Sequence, residues 1–261
     1  MVENDEQWDM RPILGATGQA FMGVKEEEKI FFKRNSSPLI AALAADGITP
    51  KLKWTQRTYS GDILTAQEWA EGKTLSKQDM SSQRVIDLIR HVHESNNLLL
   101  TLKRIDNRVC KPLDFIDLYF NELPPSLKTH TLFNEIIQFL EDQIDDDFYL
   151  VDYVVCHGDL NHHNFLLSNH EQLYLVDWEN VRIADPISDI TWLLCQYLEP
   201  SQWMEWFNNY GIEITKKVFK RVQWYSLMNC LLLVKHYASE NRYARMNEVI
   251  LLIKSIYNQV K

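Results

Sequence analysis

Three short apolar strands run through the stretch from Tyr153 to Glu179, and each delivers a polar residue suited to chemistry. Tyr153-Val154-Val155-Cys156 leads into His157-Gly158-Asp159-Leu160-Asn161-His162-His163-Asn164. Phe165-Leu166-Leu167 follows, and Leu173-Tyr174-Leu175-Val176 then delivers Asp177-Trp178-Glu179. Apolar runs this short, bounded by turn residues, are strands rather than helices. Asp159, Asn164 and Asp177 therefore sit at successive strand ends and converge in one crevice. The spacing H-x-D-L-x-x-x-N, then a hairpin and an Asp, is that of a phosphoryl-transfer site. Asp159 is placed to take the proton of an acceptor hydroxyl. Asn164 and Asp177 offer hard oxygens to Mg²⁺, which binds through one or two carboxylates plus the substrate phosphates. A purely structural hairpin with turn-forming acids leaves that convergence unexplained. His157, His162 and His163 do not read as a zinc site, because neither a Cys partner nor an H-x-x-x-H pair accompanies them.

The 261 residues suffice for two lobes that share a cleft, each with its own core. With 46% apolar and 24% charged residues the balance is that of a globular chain, with no disordered half. A net charge of −9 argues against nucleic acid or an anionic membrane as partner and is compatible with a cationic or neutral small substrate. No apolar run reaches the ~18 residues of a bilayer span, so no membrane insertion is expected. Cys110, Cys156, Cys195 and Cys230 lack paired spacing and read as reduced core thiols. The acidic start, Met1 to Glu6, has no apolar signal region. The expected location is cytoplasmic.

The first third of the chain reads as strands: Met10 to Leu14, Ala20 to Val24, Ile30 to Lys33, Lys51 to Tyr59 and Ile63 to Ala70. Pro38 to Ala45 is a short helix with Ser37 as its N-cap. After Gly72 the period becomes helical. Val85, Leu88, Ile89 and Val92 line one face of a helix that starts near Ser81 or Ser82. Leu113 to Leu123 and Leu127 to Ile144 form two more, and the chain is helical again from Ile187. The expected fold class is α+β and bilobal, protein-kinase-like, with a small β-rich N-lobe (1–71) and a larger helical C-lobe (72–261). The hinge falls near Glu68 to Gly72.

Lys33 ends a strand with Phe31 on its own face, opposite Ile30 and Phe32. With Asp159 downstream, it reads as the point charge that reaches the ATP α/β-phosphates rather than as a solvated surface lysine. The turn Gly15-x-x-Gly18, with Gly23 after it, offers backbone N–H groups to phosphate oxygens, although glycines between strands are usually plain turns. Gln67, Glu68 and Trp69 occupy the position of a hinge whose backbone meets the adenine edge.

At these residues the chain resembles the aminoglycoside phosphotransferase / choline kinase family, small-molecule relatives of protein kinases. The likeness spans nearly the whole length. It includes Lys33, Leu88-Ile89-Arg90-His91-Val92-His93, His157-Gly158-Asp159-Leu160 with Asn164, Asp177-Trp178-Glu179, and Asp185-Pro186-x-x-Asp189. The resemblance implies ATP and Mg²⁺ as cofactors, Asp159 as catalytic base, Asn164 and Asp177 as metal ligands and Lys33 as phosphate anchor. It implies that Asp189 braces the catalytic loop, with His157 and Asp185 as further support of the site. Gly158 stands where protein kinases carry an Arg, and only seven residues separate Asp177 from Asp185, too few for a peptide-docking segment. Kinases hold the anchoring Lys with a Glu from the next helix. Residues 38–50 contain no Glu and Asp46 is their only acid, so either Asp46 substitutes with its shorter side chain or the lysine is paired differently.

Within that family the chain is similar to the YtmP/CcrZ group of Gram-positive bacteria, which is linked to cell-division control. The likeness rests on Ala20-Phe21-Met22-Gly23, Asn35-Ser36-Ser37-Pro38-Leu39, Ala66-Gln67-Glu68-Trp69 and Val176-Asp177-Trp178. It implies a small hydroxyl substrate of ribose or nucleoside type, partners among division or replication proteins, and recruitment to the division site. Two other readings stand beside it. One is a choline, thiamine or aminoglycoside kinase, with Trp192, Tyr197, Trp203, Trp206, Tyr210 and Trp224 as an aromatic cage or, at helical spacing, as core. The other is an ATP-sensing kinase-fold scaffold for the division machinery.

Overall fold

The computed structural model describes residues 8–13 and 19–260. Gly15, Gly18 and the acidic start lie outside the described residues. The chain begins with a five-stranded antiparallel sheet made of β1 (Asp9–Pro12), β2 (Ala20–Lys25), β3 (Glu28–Arg34), β4 (Leu52–Arg57) and β5 (Ile63–Glu68). The strand order is β1-β2-β3-β5-β4, which places β3 at the centre. Alternation along β3 sorts its side chains as the sequence suggests. Ile30 and Phe32 are buried with Leu64 and Ala66 in a small core, roofed by Trp8, Phe21 and Trp54. Gly23 is part of that packing and forms no phosphate nest. It pairs with Ile30 inside the sheet, and a Cβ there would sit 2.2 Å from the Phe32 ring.

A second, larger core unites the helices with the strands of the motif. Its elements are β6 (Gly72–Thr74), α2 (Gln83–Glu94), α3 (Asn96–Ile105), α4 (Pro112–Phe120), α5 (Pro125–Lys128) and α6 (Thr131–Gln143). Next come β7 (Val154–Cys156), β8 (Phe165–Ser168), β9 (Leu173–Leu175) and β10 (Arg182–Ala184), followed by α7 (Pro186–Tyr197), α8 (Pro200–Tyr210), α9 (Lys216–Ser239) and α10 (Tyr243–Val260). β8 pairs with β6 and β9, while β7 pairs with β10. The apolar face of α2 is Val85, Ile86, Ile89 and Val92, with Leu88 at its edge.

Several boundaries differ from the sequence reading. The first helix, α1 (Ile40–Ala45), starts two residues after Pro38. Ser37 instead closes a preceding turn, with its Oγ accepting from Leu39 N–H at 3.3 Å. The region 127–144 is two helices, because the chain turns at Thr129 and His130 before α6 begins. Helix α3 adds to the helices read from the sequence. Ser95 starts it by accepting from Leu98 N–H at 3.3 Å, and only Leu98 and Leu102 are buried along it. Leu39, Leu43 and Ile48 pack into the larger core rather than under the sheet, and Leu175 N–H donates to Ile48 O at 2.9 Å. The α1 segment thus ties the sheet to the motif strands. Among the described residues no helix is long and apolar enough to cross a membrane.

Candidate active site

The loop after β7 hangs from a single carboxylate. Asp189 lies one turn into α7, and its Oδ2 and Oδ1 accept the successive backbone N–H groups of His157 (2.8 Å) and Gly158 (2.9 Å). His93 of α2 donates from Nε2 to Asp189 Oδ2 at 3.2 Å and meets the Tyr210 hydroxyl through Nδ1 at 2.8 Å. Burial alone pushes the Asp189 carboxyl up, but His93, His157 and the Gly158 amide outweigh it and hold the pKa below its ordinary value. Asp185 starts the same helix: its Oδ1 caps Ile187 N–H at 3.0 Å while Oδ2 accepts from Arg221 at 2.5 Å. These bonds fix the helix that presents Asp189. His93, Cys156 and Asp189 are also close enough to hold a metal, but the acid and the imidazole are committed to the hydrogen bonds just described.

His157 is fully buried and bridges the two loops of the site. Its Nδ1 accepts from Asp159 N–H at 3.2 Å, so the ring proton is on Nε2, which donates to Val176 O at 2.9 Å. Burial lowers its pKa and favours this neutral form. Val176 N–H donates in turn to Asn164 O at 2.9 Å, which puts Asn164 beside the residue preceding Asp177. Asp159 Oδ2 accepts from Asn161 Nδ2 (2.9 Å) and Asn164 Nδ2 (3.2 Å), and Asn164 Nδ2 also donates to Asp159 O at 2.9 Å. The Asn164 amide nitrogen is therefore taken, and its oxygen is the end left for a cation. Asp177 has φ +66°, a left-handed conformation that Asp tolerates better than most residues and that is concentrated at functional sites. Trp178 anchors the turn from behind, buried and donating from Nε1 to Leu175 O at 2.8 Å.

Lys33 reaches this turn from β3. Its Nζ lies 2.8 Å from Asp177 Oδ1 and 2.9 Å from Glu179 Oε1. Burial pulls the Lys33 pKa down, yet the two carboxylates more than compensate and raise it. Of the two ways of pairing Lys33, the structure holds the one without Asp46. Asp46 accepts from Ser95 Oγ at 2.9 Å, because the short α1 belongs to the larger core and faces α3. Of the hinge residues, Gln67 is buried and its Nε2 donates to Pro50 O at 2.7 Å. Glu68 is exposed at the end of β5, and Trp69 follows the strand.

Gly158 has φ +81°, and a Cβ there would lie 2.3 Å from Asn180 O and 2.6 Å from Arg182 Nη2. The space is occupied by Arg182, which donates to Gly158 O (3.3 Å) and Asn180 O (3.2 Å) and lies over the Phe115 ring. The position that is an Arg in protein kinases is thus a glycine that admits an Arg from β10. Gly158→Ala is expected to destabilise the protein by at least ~1–3 kcal/mol, from left-handed strain plus the clash. Urea denaturation measures this, and an unchanged midpoint would contradict the steric account.

Asp159, Asn164 and Asp177 open on a cavity of about 820 Å³ that runs under α7 and α9 to the start of α10. Near its mouth the Tyr197 hydroxyl accepts from His162 N–H and donates to His162 Nδ1, both at 3.0 Å. Burial pushes Tyr197 up to about 12, which keeps that proton in place. Of the six aromatics considered for a cage, only Trp192 and Tyr197 line the cavity. Trp203, Trp206, Tyr210 and Trp224 are buried in the helical core.

The sequence profile of the "phosphotransferase enzyme family" matches residues 27–224. Among solved structures, the choline kinase LicA from Streptococcus pneumoniae superposes with a TM-score of 0.66 at 16% identity, covering 95% of this chain and 93% of that one. A choline/ethanolamine kinase family protein from Mesorhizobium loti gives 0.64 at 18% identity, covering 95% and 87%. The GDP complex of aminoglycoside 2'-phosphotransferase-IIIa gives 0.63 at 11% identity, covering 100% and 96%. At these identities the likeness establishes the fold: an N-terminal β-sheet region and a helical C-terminal region in the kinase-like α+β arrangement.

Proposed function

The chain belongs to the phosphotransferase enzyme family, and from that premise we propose that it moves the γ-phosphoryl group of ATP to a hydroxyl of a small sugar or nucleoside of ribose or deoxyribose type. The observation that carries this reading is the convergence of Asp159, Asn164 and Asp177 at the mouth of one cavity, with Lys33 beside them. Asp159 accepts the proton of the acceptor hydroxyl as that oxygen attacks phosphorus. Lys33 neutralises phosphate charge once nucleotide enters and draws it from Asp177 and Glu179. Asn164 through its amide oxygen and Asp177 through its carboxylate form a hard-oxygen donor set that fits Mg²⁺. When bound, that ion supplies charge neutralisation at the phosphates. Residues 1–71 hold the nucleotide in this reading, with the backbone of Gln67, Glu68 and Trp69 at the adenine edge, and 72–261 hold the acceptor.

Trp203, Trp206, Tyr210 and Trp224 are core, but Trp192, Tyr197 and Tyr237 still line the cavity, so a choline-type or aminoglycoside acceptor stands as the alternative. The sequence likeness to the YtmP/CcrZ group supports a cytoplasmic role in division or replication control, with recruitment by proteins of that machinery. The deciding assay is coupled ADP release across ribose, deoxyribose, nucleosides, choline, thiamine and aminoglycosides. Turnover confined to the cationic acceptors would replace the sugar or nucleoside reading. Lys33→Ala is expected to raise the apparent KM for ATP ~10-fold or more, the usual weight of a charge-assisted contact. Asp46→Ala, which touches Ser95 instead, is expected to leave that KM within about twofold. An equal effect of the two substitutions in steady-state kinetics would reinstate Asp46 as the partner of Lys33.

A further inference from the structure

The far wall of the cavity has a charge sign opposite to that of the chain. The protein carries a net charge of −9, yet away from Asp159, Asp177 and Asp189 the only acid lining the cavity among the described residues is Glu240. Besides Lys77, the lining carries the cations Arg182, Lys235, Arg242 and Arg245, together with His162 and His163. Two of these cations are structural. Arg182 is committed to Gly158 O and Asn180 O, and Lys235 donates to the carbonyls of Leu118 and Asn121 at the end of α4. The other two are not. Arg242 uses one nitrogen, Nη1, on Glu240 at 3.0 Å and lies over the Tyr237 ring at 4.9 Å. Arg245 uses Nη1 on Glu248 at 2.5 Å. Both pairs are solvent-exposed, a setting in which an ion pair contributes little and exchanges readily for another anion.

Arg242 and Asp159 belong to the same chamber. The Tyr197 and Tyr237 hydroxyls each lie within the electrostatic reach of both groups. Arg242 and Arg245 flank the first turn of α10, an 18-residue helix whose dipole adds positive potential at that end. Arg242 and Arg245 stand at a solvent-exposed part of the cavity wall, where an entering anion can compete with Glu240 and Glu248 for them. A guanidinium fork matches the oxygens of phosphate or carboxylate in particular.

We propose that the acceptor carries an oxyanion, phosphate or carboxylate, which Arg242 and Arg245 receive while its hydroxyl faces Asp159. The inference rests on the kinase reading and narrows its substrate class to an anionic alcohol such as a phosphorylated sugar or nucleoside. In the reaction, the acceptor oxygen forms a bond to the γ-phosphorus as the bond from phosphorus to the β,γ-bridging oxygen breaks. The hydroxyl proton passes to Asp159, and the bridging oxygen leaves with its electron pair on ADP. The acceptor's own oxyanion takes no part in bond making and only fixes its orientation.

The test is coupled ADP release by the full chain with matched acceptors: ribose against ribose 5-phosphate, a nucleoside against its 5'-monophosphate, glycerol against glycerate. The anionic member is expected to have at least ~10-fold higher kcat/KM, the weight of one or two charge-assisted contacts. The glycerate arm tells carboxylate from phosphate. In Arg242→Ala and Arg245→Ala that preference should collapse toward one, through KM rather than kcat. Alongside, inorganic phosphate is titrated calorimetrically into protein saturated with Mg²⁺ and a non-hydrolysable ATP analogue, and binding should be lost in Arg242→Ala. Neutral acceptors used as well as their anionic partners would overturn the inference and leave the kinase reading intact. If no acceptor turns over, the absence of phosphate binding overturns it, and binding that depends on Arg242 upholds it. ADP release insensitive to Asp159→Asn would sink the kinase reading itself, whichever acceptor is used.

Discussion

Replacing Asp159 with Asn is expected to lower turnover by ~10²-fold or more, the usual cost of losing a positioned general base. The substitution suits the geometry. Asp159 Oδ2 accepts from Asn161 and Asn164, and an amide oxygen can take over that role. The backbone N–H still reaches His157 Nδ1, so the loop keeps its shape. Only the capacity to accept a proton disappears. ATP affinity should stay within a few-fold, because in the proposed reading Asp159 serves the acceptor and not the nucleotide. Steady-state turnover and nucleotide titration on the same preparation check both halves. In a strain lacking the gene, the variant should fail to restore growth at normal protein levels if phosphoryl transfer is the point. Full rescue would promote the scaffold reading.

Asp177→Asn should have a different signature. This carboxylate pairs with Lys33 at 2.8 Å, and in the proposed reading it is also the charged member of the Mg²⁺ donor set. The Mg²⁺ concentration for half-maximal activity should rise by at least the ~10–100-fold that even an outer-shell partner is worth. Turnover should fall as well, because phosphate positioning is lost. Glu179 still holds Lys33 at 2.9 Å, so the cleft should stay folded, with a thermal midpoint near that of the parent protein. A metal dependence unchanged in the variant would move the ligand role to Glu179.

What the sequence disclosed follows the range of the interactions concerned. The motif strands, the loop of Asp159 and the hairpin before Asp177 depend on neighbours a few residues away, and their spacing shows it. The buried face of β3 was legible for the same reason. The partner of Lys33 was not, since Asp177 and Glu179 lie more than a hundred residues downstream and come to it through the packing of α1. Asp46, the one acid in residues 38–50, goes to Ser95 instead. Helix α3 has too few buried positions to give a periodic signal. The buried His93–Asp189–Tyr210 network joins three helices, and no local pattern predicts it. Arg242 precedes α10 and Arg245 lies in its first turn, with no motif around them, so their part in the cavity appears only once α9 and α10 fold back on each other.

The suspension of the catalytic loop from Asp189 bears on when this protein becomes competent during its synthesis. His157 and Gly158 take their orientation from α7, Asp189 takes its own support from His93 of α2, and His93 leans on Tyr210 at the end of α8. The His93–Tyr210 contact spans 117 positions of sequence. A nascent chain whose leading part has emerged from the ribosome up to Asn164 has every residue of the motif and nothing to hang it on. Closure of such distant contacts comes late, because the entropy of a long loop is lost before the contact can form. The loop is therefore held in full only after the chain has been translated and docked through Tyr210, 210 of its 261 residues, and a chain terminated before that point is expected to be inert rather than unregulated.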